Sequence, residues 1–237
     1  MASLKKVFLN TNPTKDEIKN INLGDIVYLN GSIYTAREGI YKKVLEEHAD
    51  LPLELPKESA TNFHCSPAAV QNENGDFNLG AVTATASFRF SRWIGDWLKI
   101  SGAKLIIGKG GMSIEDYKQN FVPCGAIYLT TVGYGTGALL GRGVKKVRNL
   151  YWKKELGLAQ AMWLIDVENF GPFIAESDVL GNSLFERENK KISEKITKAY
   201  EGTRPAVLKR FGETSNPEDE LISVSYTHLT LPTICSV

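Results

Sequence analysis

Cysteine is nearly absent from this chain. Cys65, Cys124 and Cys235 are the three cysteines in 237 residues. An odd set with no close spacing excludes a disulfide framework, and it excludes a metal site built by this chain alone. An excess of one charge is lacking too. Lys and Arg number 28 against 27 Asp and Glu, for a formal net charge of +1, so nothing drives the chain toward nucleic acid or a membrane surface. The apolar runs fall far short of the roughly 20 residues that cross a bilayer. The start, Met1-Ala-Ser-Leu-Lys-Lys-Val, leads into an expected strand without the apolar core of a signal peptide. A cytoplasmic location is the expectation. No internal repeat is visible, and both glycine-rich turns miss the nucleotide fingerprints. Gly108-Lys109-Gly110-Gly111 lacks the phosphate-loop spacing, and Gly133 to Gly141 lacks the dinucleotide pattern.

What is present is ordinary globular composition, 43% hydrophobic and 23% charged, in a length that suits one large domain. Strands are expected over residues 5–9, 24–29, 62–65, 79–85, 104–107, 126–131, 146–152, 161–167 and 172–176. Helices are expected over 36–48, 91–100, 113–120 and 183–200. Trp93, Ile94, Trp97 and Leu98 share one face of the second helix. Ser113, with Asp116 three residues on, opens the third. Strands outnumber helices, and hairpins mix with crossovers. That pattern predicts an α/β or α+β layered domain, not a regular doubly wound sheet.

Three separated runs place a cation or hydroxyl beside a small residue where a strand gives way to a turn. Arg37 opens a helix, where free N–H groups and a planar guanidinium suit a carboxylate. A surface ion pair with Glu38 or Glu46 is the plainer alternative. Thr83, Thr85 and Ser87 alternate, so a continued strand would line their hydroxyls up on one face with Arg89. An exposed edge strand is the bland reading of that run. Lys109 sits in Gly108-Lys109-Gly110-Gly111, where glycine lets backbone approach a ligand closely. Together Arg37, Thr85, Ser87, Arg89 and Lys109 could hold a small molecule with two negative charges. His64 and Cys65 are neighbours on a strand and point to opposite faces, so they form no nucleophile–base dyad and read as buried structure. Tyr128 and Tyr134 read as packing residues, although Tyr134 on its glycine-rich turn could face a site.

The end of the chain reads differently. Glu213 to Glu220 is polar and loose, so residues 206–223 are expected to be a disordered tail. Val224 to Thr233 resembles the conceptual translation of a transposase-end adapter used in sequencing libraries. Residues 224–237 are therefore set aside as a gene-model artefact, and residues 1–205 are taken as the folded domain.

From Leu23 to Glu186 the chain resembles the β subunit, or C-terminal domain, of the iron–sulfur hydro-lyases, class I fumarase and L(+)-tartrate dehydratase. The resemblance is carried by Gly24-Asp-Ile-Val-Tyr-Leu-Asn-Gly-Ser-Ile-Tyr-Thr-Ala-Arg37, Ile107-Gly-Lys-Gly-Gly111, Gly125-Ala-Ile-Tyr128, Phe170-Gly-Pro-Phe173 through Asp178, and Gly181-Asn182. It implies a swivelling β/β/α domain. It implies that Arg37, Ser87, Arg89, Lys109 and Gly110 bind substrate and that Thr85 takes part in proton transfer. It implies reversible addition or removal of water on a small dicarboxylate, fumarate/malate or tartrate/oxaloacetate. It also implies a [4Fe–4S] cluster held by an α-type partner, in an α2β2 heterotetramer. Three positions depart from the family pattern: Ala86 lacks a usual threonine hydroxyl, Tyr41 stands for a usual His, and Ser66-Pro67 for a usual Gly-Pro. Two other readings compete: a phosphate or nucleotide module around Lys109, and a structural subunit whose catalysis has lapsed.

Overall fold

The computed structural model describes residues 4–133 and 135–202. The expected tail, the adapter-like segment and Tyr134 lie outside the described residues. The chain divides into Met1–Lys191 and Ile192–Val237.

The first unit runs β1 (Lys6–Asn10), α1 (Lys15–Lys19), β2 (Ile26–Thr35), α2 (Glu38–Tyr41), β3 (Thr61–Phe63), β4 (Cys65–Gln71) and β5 (Phe77–Ala84). A 3-10 turn (Ser87–Phe90) then leads into α3 (Ser91–Ser101) and β6 (Leu105–Gly108). Next come α4 (Ile114–Asp116), α5 (Val122–Cys124), β7 (Ile127–Thr131), α6 (Gly137–Arg142), β8 (Val144–Tyr151), α7 (Lys153–Gln160) and β9 (Met162–Ala175). Helix α8 (Leu184–Tyr200) begins in this unit and ends in the second.

The main sheet has the order β1-β2-β3-β6-β7-β9-β8, and β2 also pairs with β9. The pairings therefore close a ring through β2, β3, β6, β7 and β9. Within it β2, β3, β6 and β7 are parallel, and β9 is antiparallel to its neighbours. Strands β4 and β5 form a separate hairpin. This is the layered α/β architecture that the alternating pattern predicts.

The ring's apolar core includes Val27, Leu29, Phe63, Ile107, Leu129 and Phe173. Helix α3 packs on the sheet with two flanks. Trp93 and Trp97 join Tyr34 and Tyr41, while Ile94 and Leu98 join Ile106 and Tyr128. Burying a side chain such as Ile94 or Leu98 is worth ~1.5–3 kcal/mol. The helix ends at Gly102, whose φ of 64° is left-handed.

Several boundaries differ from expectation, each for a physical reason. Strand β2 continues past Asn30-Gly31 because Gly31, at φ 125°, absorbs a register shift against β9. Strand β4 runs through Ser66-Pro67 because it pairs only with β5, and an edge tolerates proline. The two strands expected at 161–167 and 172–176 are one bent strand, β9. The helix expected over 36–48 is a single α turn followed by a π-helical stretch, Lys42–Glu46. Helix α7 carries no recognisable apolar period and was not expected.

Candidate active site

The parallel strands β2, β3, β6 and β7 end side by side at Thr35, Phe63, Gly108 and Thr131. The residues just beyond those ends share one edge of the sheet, where open α/β sheets take ligands. Arg37 follows β2, His64 follows β3 and Lys109 follows β6. The hairpin β4–β5 returns to the same edge. Thr85 N–H donates to the His64 carbonyl at 2.6 Å, and Lys109 N–H donates to the Thr85 carbonyl at 3.0 Å. Ala86 and Lys109 form an isolated parallel bridge. The Thr85–Arg89 corner is thus stitched to the lysine loop by backbone.

Arg37 is half-buried at the N-terminal boundary of α2. One terminal guanidinium nitrogen donates to the Ala159 carbonyl at 3.0 Å, while Nε is buried without a partner. The plain alternative, pairing with Glu38 or Glu46, is not what forms. Glu38 pairs with Lys42 at 2.7 Å, and Glu46 accepts from Trp93 Nε1 at 2.7 Å. Burial, and then the nearby charge of Arg89, both work against the charged form of Arg37. Among the described residues neither guanidinium is in an ion pair. Arg89 is exposed, 5.8 Å from the Phe90 ring centroid.

Thr85 and Lys109 are half-buried, and Gly110 is exposed at φ 74°. A side chain is strained in that conformation, so the sharp turn after Lys109 calls for glycine. A cavity of about 70 Å3 beside the loop is lined by Thr83, Lys109, Thr131, Gly133 and Thr136.

The expected single face of hydroxyls does not form. Strand β5 stops at Ala84, and the chain turns into the 3-10 segment, which separates Ser87 from Thr83 and Thr85. Ser87 is fully buried, 2.7 Å from His64 Nδ1 and 2.7 Å from the Tyr128 hydroxyl. The structure therefore brings Arg37, Thr85, Arg89, Lys109 and Gly110 to one edge and places Ser87 behind it. His64 and Cys65 are both buried, as expected.

A second buried group supports the far side of the loop. The Tyr117 hydroxyl and the Ser183 hydroxyl both donate to the Glu176 carboxyl. Met112 N–H donates to the Tyr117 oxygen at 2.9 Å. Burial raises Glu176 above the usual carboxylate range, and burial beside Glu176 raises Tyr117. Sequence reading marked Tyr41 only as a departure from the family pattern, and it missed Asn62, Tyr117 and Glu176. The one available signal was the alternation of Asn62 and His64 with apolar residues in a short strand, which puts two polar groups on one inward face.

No group of three or more His, Cys, Asp or Glu is arranged to hold a metal ion among the described residues. Cys65 is buried, and burial pushes its thiol up, which is wrong for a thiolate ligand. These residues do not fit an iron–sulfur cluster. No described helix is long and apolar enough to cross a membrane.

The chain is similar to several known proteins. A provisionally named L(+)-tartrate dehydratase subunit beta of Methanocaldococcus jannaschii is 38% identical over 186 residues, covering 77% of this chain and 93% of that protein. The L(+)-tartrate dehydratase subunit beta of Escherichia coli is 31% identical over 193 residues, 80% of this chain and 90% of that one. A provisionally named class I fumarate hydratase of Geobacillus stearothermophilus is 31% identical over 188 residues, 79% of this chain but 35% of that protein. The family model described as fumarase C-terminus matches residues 1–188, and the chain belongs to that family.

Proposed function

We propose that this chain is the β-type subunit of an iron–sulfur hydro-lyase and supplies the carboxylate-binding half of its active site. The observation that carries the reading is the pair of guanidiniums at the strand ends. Burial and the Arg89 charge work against the charged form of Arg37, neither guanidinium is ion-paired among the described residues, and Arg37 Nε is buried without a partner. A small dicarboxylate resolves all three costs at once. Lys109 adds a third cation, and Gly110 lets substrate approach the backbone. Names given to the relatives point the same way, to tartrate dehydratase and class I fumarate hydratase.

Since the described residues do not fit a [4Fe–4S] cluster, the proposal assigns it to an α-type partner, in an α2β2 assembly in the cytoplasm. The steps given to this chain are its own. Arg37, Arg89 and Lys109 orient the two carboxylates, and their charge opposes the build-up of negative charge when a proton leaves the adjacent carbon. Thr85 passes that proton. An alcohol is a poor base, so Thr85 needs a carboxylate from the partner chain as relay. The choice between fumarate/malate and tartrate/oxaloacetate falls to residues beyond this shared grip.

The test is Arg89→Ala in the complex with the α-type partner. One charge-assisted hydrogen bond is worth roughly 1.5–3 kcal/mol, so kcat/KM for the dicarboxylate should fall at least about tenfold. The melting temperature should not move, because Arg89 is exposed. Unchanged kinetics would remove Arg89 from the site.

A further inference from the structure

We infer that His64, held in its Nδ1–H tautomer by Tyr41, is a positioning residue that fixes the spacing of the Arg37, Thr85 and Lys109 segments. The inference rests on the dicarboxylate reading of that edge and adds residues that the reading does not use.

From Ala36 to Ser87 the hydrogen bonds have one self-consistent direction. Ala36 N–H, immediately before Arg37, donates to Asn62 Oδ1 at 2.9 Å. That contact orients the Asn62 amide, so its Nδ2 faces Tyr41 and donates to the Tyr41 hydroxyl at 2.8 Å. The Tyr41 oxygen is then an acceptor, and its proton points to His64 Nε2, 2.6 Å away. A neutral imidazole that accepts at Nε2 carries its proton on Nδ1. That proton is donated to Ser87 Oγ at 2.7 Å. Ser87 also meets the Tyr128 hydroxyl at 2.7 Å, and that hydroxyl lies 3.5 Å from the Lys109 carbonyl. The contacts therefore run from the Ala36 N–H, one residue before Arg37, to the Lys109 carbonyl.

Asn62, Tyr41, His64, Ser87 and Tyr128 are all fully buried. Water cannot substitute for a missing partner there, so each group depends on the next. Burial and the Arg37 charge push His64 down to about 3, which keeps it neutral and the direction intact. The His64 backbone takes part as well. Its N–H donates to Ile107 at 2.8 Å and its carbonyl accepts from Thr85 at 2.6 Å. One residue thus touches β6, the Thr85 corner and, through Tyr41 and Asn62, the Arg37 segment.

Two measurements test this. The first is the 15N–1H correlation of histidine-labelled full chain between pH 5 and 8, with no substrate present. His64 should stay neutral with its proton on Nδ1. A proton on Nε2, or titration near the ordinary value of about 6.5, overturns the inference. The second is kinetic, in the complex with the α-type partner. His64→Asn keeps a donor at the place of Nδ1 and should leave KM for the dicarboxylate within about threefold of wild type. His64→Gln loses that donor and should raise KM roughly tenfold, the loss of one hydrogen bond, with a smaller change in kcat. Equal KM values for the two variants overturn the role. Should His64→Gln fail to fold, Tyr41→Phe removes the donor to Nε2 and should raise KM several-fold as the tautomer changes; an unchanged tautomer overturns the inference. The tautomer is read without substrate, so its failure counts against this inference alone. A wild-type complex without dicarboxylate turnover overturns the site reading and, with it, the role of His64.

Discussion

On one side of the Gly108–Met112 loop, His64 reaches Ser87 and Tyr128. On the other, Glu176 gathers the hydroxyls of Tyr117 and Ser183. Both clusters are buried and both brace the same five-residue turn, yet protonation acts on them in opposite senses. His64 is neutral in the fold, with its pKa pushed down to about 3 from an ordinary 6.5. Between those values the unfolded chain binds the extra proton, so stability is lost as pH falls through the window. Glu176 has its pKa raised above 4.5. There the folded chain holds the extra proton, so stability is lost as pH rises from 4.5 through the raised value. A base that must stay neutral and an acid that prefers to be neutral hold one loop between two pH limits. The lesson is that burial, not charge pairing, sets the electrostatics beneath this site.

The clusters also differ in how tightly they press on the loop, and this gives the largest expected effect. A Cβ on Gly108 would overlap the Ser87 hydroxyl and lie 2.5 Å from the Tyr128 hydroxyl. A Cβ on Gly111 would lie 3.2 Å from the Glu176 carboxyl carbon and from the Tyr117 hydroxyl. Gly108→Ala should therefore cost about 1–3 kcal/mol by overpacking, and Gly111→Ala clearly less. Urea unfolding of both variants measures the difference. Equal losses would mean that the two sides of the loop are equally yielding, and the contrast drawn here would fail.

The pH contrast is broken or kept by Glu176→Gln. In the wild type, one such group contributes a slope of at most about 1.4 kcal/mol per pH unit. Gln cannot ionise, so the decline in stability as pH rises from 4.5 through the raised value of Glu176 should vanish in the variant. The decline on acidification that belongs to His64 should persist. Melting curves across pH 4 to 8 separate the two. If the wild type and Glu176→Gln run parallel at every pH, Glu176 ionises as freely in the fold as outside it.

Sequence and structure diverge most where pairing overrides local pattern. The strands β1, β6 and β7 were legible because each is a short apolar run flanked by turn residues, and α3 because its apolar residues keep a helical period. The extent of β2 and β9 was not legible. Their pairing is a long-range event with register shifts between Val27 and Gly31, and no local pattern gives its extent. At the site, the cations Arg37, Arg89 and Lys109 stood out because each sits at a strand end beside a small residue. The buried supports did not stand out. Tyr117 and Tyr128 look like core aromatics in any window, Tyr41 stood out only as a departure from the family pattern, and only their partners reveal the polar role of their hydroxyls. Ser87 misled for the opposite reason: its alternation with Thr85 is real in sequence, but the strand ends before it.

A remote control fixes the meaning of the site variants, and it carries the smallest expected change. Thr14 caps α1 with a reciprocal box: Glu17 N–H donates to the Thr14 hydroxyl at 3.2 Å, and Thr14 N–H donates to the Glu17 carboxylate at 2.7 Å. Thr14→Ala removes one half of that box and should cost ~1 kcal/mol. Among the described residues, the side-chain hydrogen bonds of α1 stay within α1 and its cap, so KM for the dicarboxylate in the complex should stay at the wild-type value. That separation matters because His64→Gln and Gly108→Ala both threaten stability as well as binding. If Thr14→Ala raised KM as they do, a loosened fold alone would explain the kinetics. If it lowers the melting temperature and leaves KM untouched, the KM change belongs to the geometry beneath Lys109.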